Sequence, residues 1–189
     1  MLASGSGTNL QALLDADVGV VAVGSDKPDA YALERAAAAG VPTRVFPRDD
    51  FASRADRDAA MAAWLAAAGV ELVVLAGYMQ LVSPGFLAAF PQRVVNVHPA
   101  LLPAFPGIGS VEQAIAYGVK VAGVTVHFVD EGVDTGAIIF QRAVDVAPDD
   151  DGESLRAKLQ PLEHELLPEA VRRIAAGDVA VDGRRVTVR

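Results

Sequence analysis

The residues best suited to chemistry lie in two stretches, Asn96-Val97-His98 and Asp130-Glu131-Gly132-Val133-Asp134. Val94, Val95 and Val97 make the short apolar run of a covered strand, and Pro99 stops the ladder by removing a backbone donor. Residues two apart in a strand point to the same face, so Asn96 and His98 aim an amide and an imidazole at one small volume. That pair suits the stabilisation of an oxyanion. Asp134, in a Gly-containing turn after the strand Val124–Phe128, can bring a carboxylate to the imidazole and favour the imidazolium. Together Asn96, His98 and Asp134 suit acyl transfer. Each also has a plainer use. A histidine beside an apolar strand is satisfied by one donor and one acceptor, and an asparagine ahead of a proline-rich loop forms turns. It is the coincidence of the three that points to chemistry.

These groups need a scaffold, and the pattern of the chain supplies one. Leu2-Ala3-Ser4-Gly5-Ser6-Gly7-Thr8-Asn9-Leu10 reads as a strand end, a tight Gly-rich turn and a helix start, with Thr8 or Asn9 capping a helix Leu10–Asp15. Backbone N–H groups at such a helix start make an anion site. The loop is neither a dinucleotide fingerprint nor a Walker A, so alone it is equally a plain turn. A central parallel strand has about 5 residues. So few precede this loop that either the natural chain begins further upstream or its first strand is trimmed.

Val18–Gly24 has the continuous apolar character of a parallel strand, Ala30–Ala39 reads as a helix stopped by Gly40, and Val41–Phe46 as a strand placed near an edge by Pro42. Ser53 caps a helix running to Ala68, and Leu72–Ala76 is a strand ending at Gly77, followed by Tyr78–Val82 as loop or short helix. Pro84–Ala89 is a short helix, Pro103–Gly107 a stiff turn, and Ser110 caps a helix Val111–Tyr117 closed by Gly118. Val121–Val129 and Ala137–Val146 are joined by a loop too short for a crossover helix, so they pair antiparallel. Ser154–Ala176 is a long helix that Pro161 and Pro168 should kink or divide, and Val179–Arg189 is a hairpin turning at Asp182-Gly183. Strands alternating with helices predict a doubly wound, mostly parallel, Rossmann-like α/β sheet with an antiparallel edge strand and ligands at the strand carboxyl ends.

The 189 residues fit a single domain, 1–189, with 179–189 as a C-terminal hairpin. There is no cysteine, which excludes disulfides and thiolate metal sites and is compatible with a reducing, cytoplasmic setting. A formal charge of -8 argues against a nucleic-acid partner but allows a small anionic substrate held by backbone N–H groups. Met1 is not followed by a basic, then apolar, secretory leader, and the apolar stretch Ala59–Met79 is interrupted by Glu71, Gly69 and Gly77, so no membrane association is expected. Asp145, Asp149, Asp150 and Asp151 lack EF-hand spacing, and no metal is expected there.

The segments NVHPALLPAFPG and TVHFVDEGVDTGAII resemble the signature of the phosphoribosylglycinamide formyltransferases, and SGSGTNLQALLDA resembles their phosphate loop. The resemblance runs from Leu2 to about Leu167. It implies formyl transfer from 10-formyltetrahydrofolate, as co-substrate, to the amine of phosphoribosylglycinamide in de novo purine synthesis, by a monomer or homodimer acting on small molecules. Asn96, His98 and Asp134 would be catalytic, with a water near Asp134 relaying the proton. Gly7, Thr8, Asn9, Gln160 and Glu163 would hold the phosphate, ribose and glycinamide portions. Arg54, Met79, Gln80, Leu81, Val82, Asp130, Glu131, Gly132 and Val133 would bind the folate, the segment Met79–Val82 largely through backbone.

Without the resemblance, Arg54 and Glu163 read as solvated helix residues and Met79–Val82 as ordinary loop packing. His127 reads as supporting rather than catalytic. Many relatives carry a histidine after the Pro-Gly turn where Ile108-Gly109 stand here, so any part played by that group is absent. Other formyl-folate enzymes share Asn, His and Asp. A tRNA-directed formyltransferase would bring a C-terminal domain and a deformylase an N-terminal one, and these 189 residues hold neither. A non-catalytic nucleotide-binding module is the reading from another class, and it has no need of the triad.

Overall fold

Leu2 enters the sheet as a strand of one residue, with single parallel bridges to Gly24 and Leu75, and its side chain is wholly buried. The computed structural model of the protein describes residues 1–189 and divides into two compact units, Met1–Asn96 and Val97–Arg189.

In the first unit β1 (Val23–Ser25) pairs in parallel with β2 (Thr43–Val45), and β3 (Val73–Leu75) in parallel with the start of β4 (Val94–His98). Every residue of β1 and β3 is buried, as in strands covered on both faces. α1 (Thr8–Asp15) precedes β1, and α2 (Tyr31–Ala38), α3 (Arg54–Ala67) and α4 (Pro84–Ala89) run between successive strands. Ser53 caps α3 as expected, accepting from the Asp56 N–H at 3.1 Å, and Met61, Ala62 and Leu65 form the helix's buried stripe. Several elements are shorter than the sequence suggests, β1 and β2 most of all. β1 begins only at Val23, because Gly19 turns into the left-handed region at φ 76° and Val21 stays 47% exposed. β2 is limited to the three residues that face β1, and it has no second neighbour, in keeping with Pro42 before it.

In the second unit the end of β4 is followed in sheet order by β5 (Val121–Phe128) and then β6 (Ile138–Asp145), which lies at the edge and pairs antiparallel with β5. α5 (Ser110–Tyr117) and α6 (Gly152–Ala175) pack together, α6 also covers β5 and β6, and the hairpin β7 (Val179–Asp182) and β8 (Arg185–Val188) closes the chain. Parallel pairs separated by helices, with one antiparallel edge strand, make the doubly wound α/β class that the sequence implies. No helix is long and apolar enough to cross a membrane.

Four local expectations are corrected. Thr8 and Ser110 do not cap their helices but begin them, and Asn9 lies one residue further in; the N-cap positions are Gly7 and Gly109, left-handed at φ 70° and 74° and without side chains. Ser110 instead donates its hydroxyl to the Pro99 carbonyl at 3.4 Å. α6 is one continuous helix through Pro161 and Pro168 and starts two residues early, because Asp151 and Ser154 form a reciprocal capping box. Each interior proline costs about 3 kcal/mol. Burial of Leu155, Leu159, Leu166, Leu167 and Ile174, at about 1.5–3 kcal/mol each, outweighs that cost. The hairpin turns at Gly183-Arg184, since Asp182 is still paired with Arg185.

Candidate active site

β4 ends at His98, so the last ladder residue delivers a buried imidazole to the start of the proline-rich segment. The ring is gripped from both sides. Nε2 donates to the Phe105 carbonyl at 2.9 Å, and Nδ1 lies 3.4 Å from Asp134 Oδ2. The backbone that carries Phe105 is itself fixed. Thr125 on β5 accepts from the Leu102 N–H at 3.1 Å and donates to the Ala100 carbonyl at 2.7 Å, while Gln141 on β6 donates to the Leu102 carbonyl at 2.9 Å. Antiparallel pairing places Thr125 opposite Gln141, which is how two separated residues clamp one loop.

Asp134 lies in the β5–β6 loop at φ 53°, a left-handed conformation that aspartate tolerates better than most residues. The turn leading to it is tight. Asp130 accepts from the Gly132 N–H at 3.1 Å and the Thr135 hydroxyl at 2.6 Å, and a Cβ on Gly136 would fall 1.7 Å from the Phe128 carbonyl oxygen. Asp134 Oδ2 also accepts from the Gly107 N–H at 2.8 Å, and Oδ1 lies 3.5 Å from His127 Nε2. His127 in turn donates Nδ1–H to the Phe128 carbonyl at 2.8 Å. The carboxylate is thus shared by two imidazoles, at separations that belong to ion pairing rather than short hydrogen bonds. Burial pushes the Asp134 carboxyl upward, but His127, the Gly107 N–H and the charges of both imidazoles outweigh it and hold the group below its ordinary 3.8. At neutral pH Asp134 is an anion beside two potential proton carriers.

The other residues that the sequence singles out are placed as follows. Asn96, half-buried, precedes His98 by two positions on β4. Gly7 opens α1, and its lack of a side chain is required: a Cβ there would sit 2.7 Å from the Ala32 Cα. Thr8 and Asn9 form the first turn of α1, whose N–H groups point outward from the helix start. α2 moulds this loop, the Ala32 N–H donating to the Gly5 carbonyl at 3.0 Å and Arg35 Nε to the Ser6 carbonyl at 2.9 Å. Arg54 is exposed in the first turn of α3. Met79 and Leu81 are 53% and 54% exposed, with Gln80 and Val82 half-buried beside them. Glu131, Gly132 and Val133 are exposed on the loop that Asp130 organises. Gln160, exposed, and Glu163, half-buried, are three apart on α6 and share a face.

Three features escaped the sequence reading. Arg35 donates to the Ser6 carbonyl and, through Nη1, to Gln11 Oε1 at 3.0 Å, and Arg184 reaches the Thr135 carbonyl at 2.8 Å; no local pattern announces such contacts. Arg57 and Asp58 are 2% and 0% exposed and paired at 2.9 Å. Here a signal existed, because both fall on the apolar stripe with Met61 and Leu65. The acidic turn is absorbed by structure, Asp150 accepting from Ala147 and Ser154 and pairing with Lys158, and Asp151 capping α6. No group of three or more histidine or carboxylate side chains is arranged as a metal site.

Comparison with known proteins gives a consistent picture. The profile of the formyl transferase family matches residues 1–171. A protein of Mycobacterium tuberculosis strain H37Rv named phosphoribosylglycinamide formyltransferase is 48% identical over 193 residues, covering 100% of this chain and 89% of the relative. The trifunctional purine biosynthetic protein adenosine-3 of Drosophila melanogaster is 46% identical over 96% of this chain, which spans only 14% of that protein's length. The crystal structure of glycinamide ribonucleotide transformylase 1 from Symbiobacterium toebii superposes with a TM-score of 0.97 at 51% identity, covering 99% of this chain and 91% of that one.

Proposed function

Because this chain belongs to the formyl transferase family, we propose that it moves the formyl group of 10-formyltetrahydrofolate to the amine of 5'-phosphoribosylglycinamide, a step of purine biosynthesis. What supports the reading most is the pairing of buried His98, at the end of β4, with half-buried Asp134, 3.4 Å apart and anchored by the Gly107 N–H.

The chemistry needs a neutral amine, a place for the negative charge that develops on the formyl oxygen, and a route for one proton. The amine nitrogen attacks the formyl carbon, a tetrahedral intermediate forms, and the bond from that carbon to the folate nitrogen breaks. The Asn96 amide and His98 are the donors to the oxyanion. His98 Nε2–H now donates to the Phe105 carbonyl, and in the reaction that donation passes to the oxyanion. Asp134, held as an anion, orients the imidazole through Nδ1 and serves as base, through a water, for the proton that travels from the attacking nitrogen to the folate nitrogen.

Gly7, Thr8 and Asn9 hold the phosphate at the start of α1, where backbone N–H groups suit an anion on a protein of formal charge -8. Gln160 and Glu163 serve the ribose and glycinamide portions, and Arg54, Met79–Val82 and Asp130–Val133 the folate.

The test is formyl transfer from 10-formyltetrahydrofolate with phosphoribosylglycinamide or with water alone, followed by the mass of the product. Formylation that requires the ribonucleotide supports the reading. Hydrolysis of the folate at the same rate with and without acceptor would replace it with a deformylase.

A further inference from the structure

The segment between β3 and α4 presents Met79 and Leu81 outward, 53% and 54% exposed, while Gln80 between them turns inward. Its side chain is engaged through both its oxygen and its nitrogen. Gln80 Oε1 accepts from Arg57 Nη1 at 3.3 Å, and Gln80 Nε2 donates to Asp26 Oδ2 at 3.1 Å. Each neighbour is tied further. Arg57 donates Nε and Nη2 to Asp58 Oδ1 at 3.1 and 2.9 Å, and Asp58 Oδ2 accepts from the Ser83 N–H at 2.6 Å. Asp26 Oδ1 accepts from the Ser4 hydroxyl at 2.5 Å, and the Ser4 hydroxyl oxygen in turn accepts from the Met79 N–H at 3.0 Å.

The segment is thereby pinned at Met79 N–H, at the Gln80 side chain and at Ser83 N–H, all to one chain of polar groups. Such a chain is an expensive way to fill a core. Arg57 and Asp58 are almost wholly buried, and apolar residues of similar volume generally stabilise as well or better than a buried ion pair. What polar groups supply and apolar ones do not is a fixed direction at each contact, so the backbone between them has one arrangement.

We propose that Asp26, Gln80 and Arg57 are positioning residues that set the Met79–Val82 segment for the folate, and that this hydrogen-bond chain governs affinity for the formyl donor without touching it. The inference rests on the formyl-folate reading given above. Gln80 then contributes through its side chain to the shape of the segment, and the segment meets the folate with its backbone and with Met79 and Leu81.

The test is a charge exchange. Q80E places a second carboxylate against Asp26 and breaks that link while leaving an acceptor for Arg57. Adding D26N restores every contact with the charges swapped: the new amide donates to the new carboxylate, and its oxygen still accepts from Ser4. With wild-type, Q80E and D26N/Q80E enzymes, Kd for tetrahydrofolate by equilibrium dialysis and KM for both substrates are measured, with thermal unfolding as the folding control. The expectation is a roughly tenfold rise in folate Kd and KM for Q80E, with kcat and the ribonucleotide KM within about twofold, and recovery to within about threefold in the double variant. Unchanged folate binding in Q80E, or failure of the folded double variant to recover it, overturns the proposal. If Q80E does not fold, Q80M, which removes both hydrogen bonds without adding charge, is held to the same tenfold rise. Wild-type protein that binds tetrahydrofolate but transfers no formyl group would refute the activity, and the dialysis arm would still decide the positioning role.

Discussion

Replacing Asp134 by asparagine separates the two things this side chain does. It accepts a hydrogen bond from the Gly107 N–H at 2.8 Å, and it places a negative charge 3.4 and 3.5 Å from two imidazoles. Asparagine keeps an acceptor for Gly107, so the structural loss is the difference between a charge-assisted and a neutral hydrogen bond, about 1 kcal/mol. That corresponds to a fall in Tm of about 2–4 °C. The electrostatic loss is larger. One charged imidazole at that distance is worth roughly 5 kcal/mol at an effective dielectric constant of about 20. Spending even half of it on the transition state lowers kcat by about 10²-fold or more. D134N should therefore remain folded while turnover falls by about 10² to 10³. The folded-state carboxyl is held below its ordinary 3.8, so its contribution to stability is present above that value and is lost as pH falls through the folded-state value. The Tm gap between wild type and D134N should accordingly close on acidification. The assay is kcat at neutral pH beside thermal unfolding across the acid range. A folded D134N with kcat within about threefold of wild type would refute the role given to the carboxylate.

Other substitutions test the scaffold. G7A forces a Cβ to within 2.7 Å of the Ala32 backbone at φ 70°, and should cost about 1–3 kcal/mol and raise KM for the ribonucleotide more than for the folate, read from steady-state kinetics in both substrates. D151A removes the acceptor that caps α6, and should lower the midpoint of urea unfolding with folate KM unchanged.

How much of this was legible before the structure depended on how local the signal was. The alternation of apolar runs with capped helices carried the α/β class, and Ser53, Gly40, Gly118 and the short β5–β6 connection each spoke for a single nearby contact. His98 with Asp134 was legible because one ends a strand and the other sits in a turn beside a strand. Thr8 and Ser110 misled because their chemistry suits a cap, whereas a left-handed glycine one residue earlier had already taken the position. Pro161 and Pro168 do not divide α6, because its tertiary burial outweighs the local cost of a missing donor. The clamp of Thr125 and Gln141 on the proline-rich segment, and the chain from Ser4 through Asp26 and Gln80 to Arg57, join residues distant in sequence, and only the folded arrangement brings them to one another.

The central claim is that the buried imidazole at the end of β4 acts in the chemical step. Single-turnover formyl transfer by rapid quench, with both substrates saturating, isolates that step from binding and release. H98A, shown to be folded, should slow the transfer by at least about 10²-fold, as expected for removal of one oxyanion donor. Transfer by folded H98A at the wild-type rate would contradict the account.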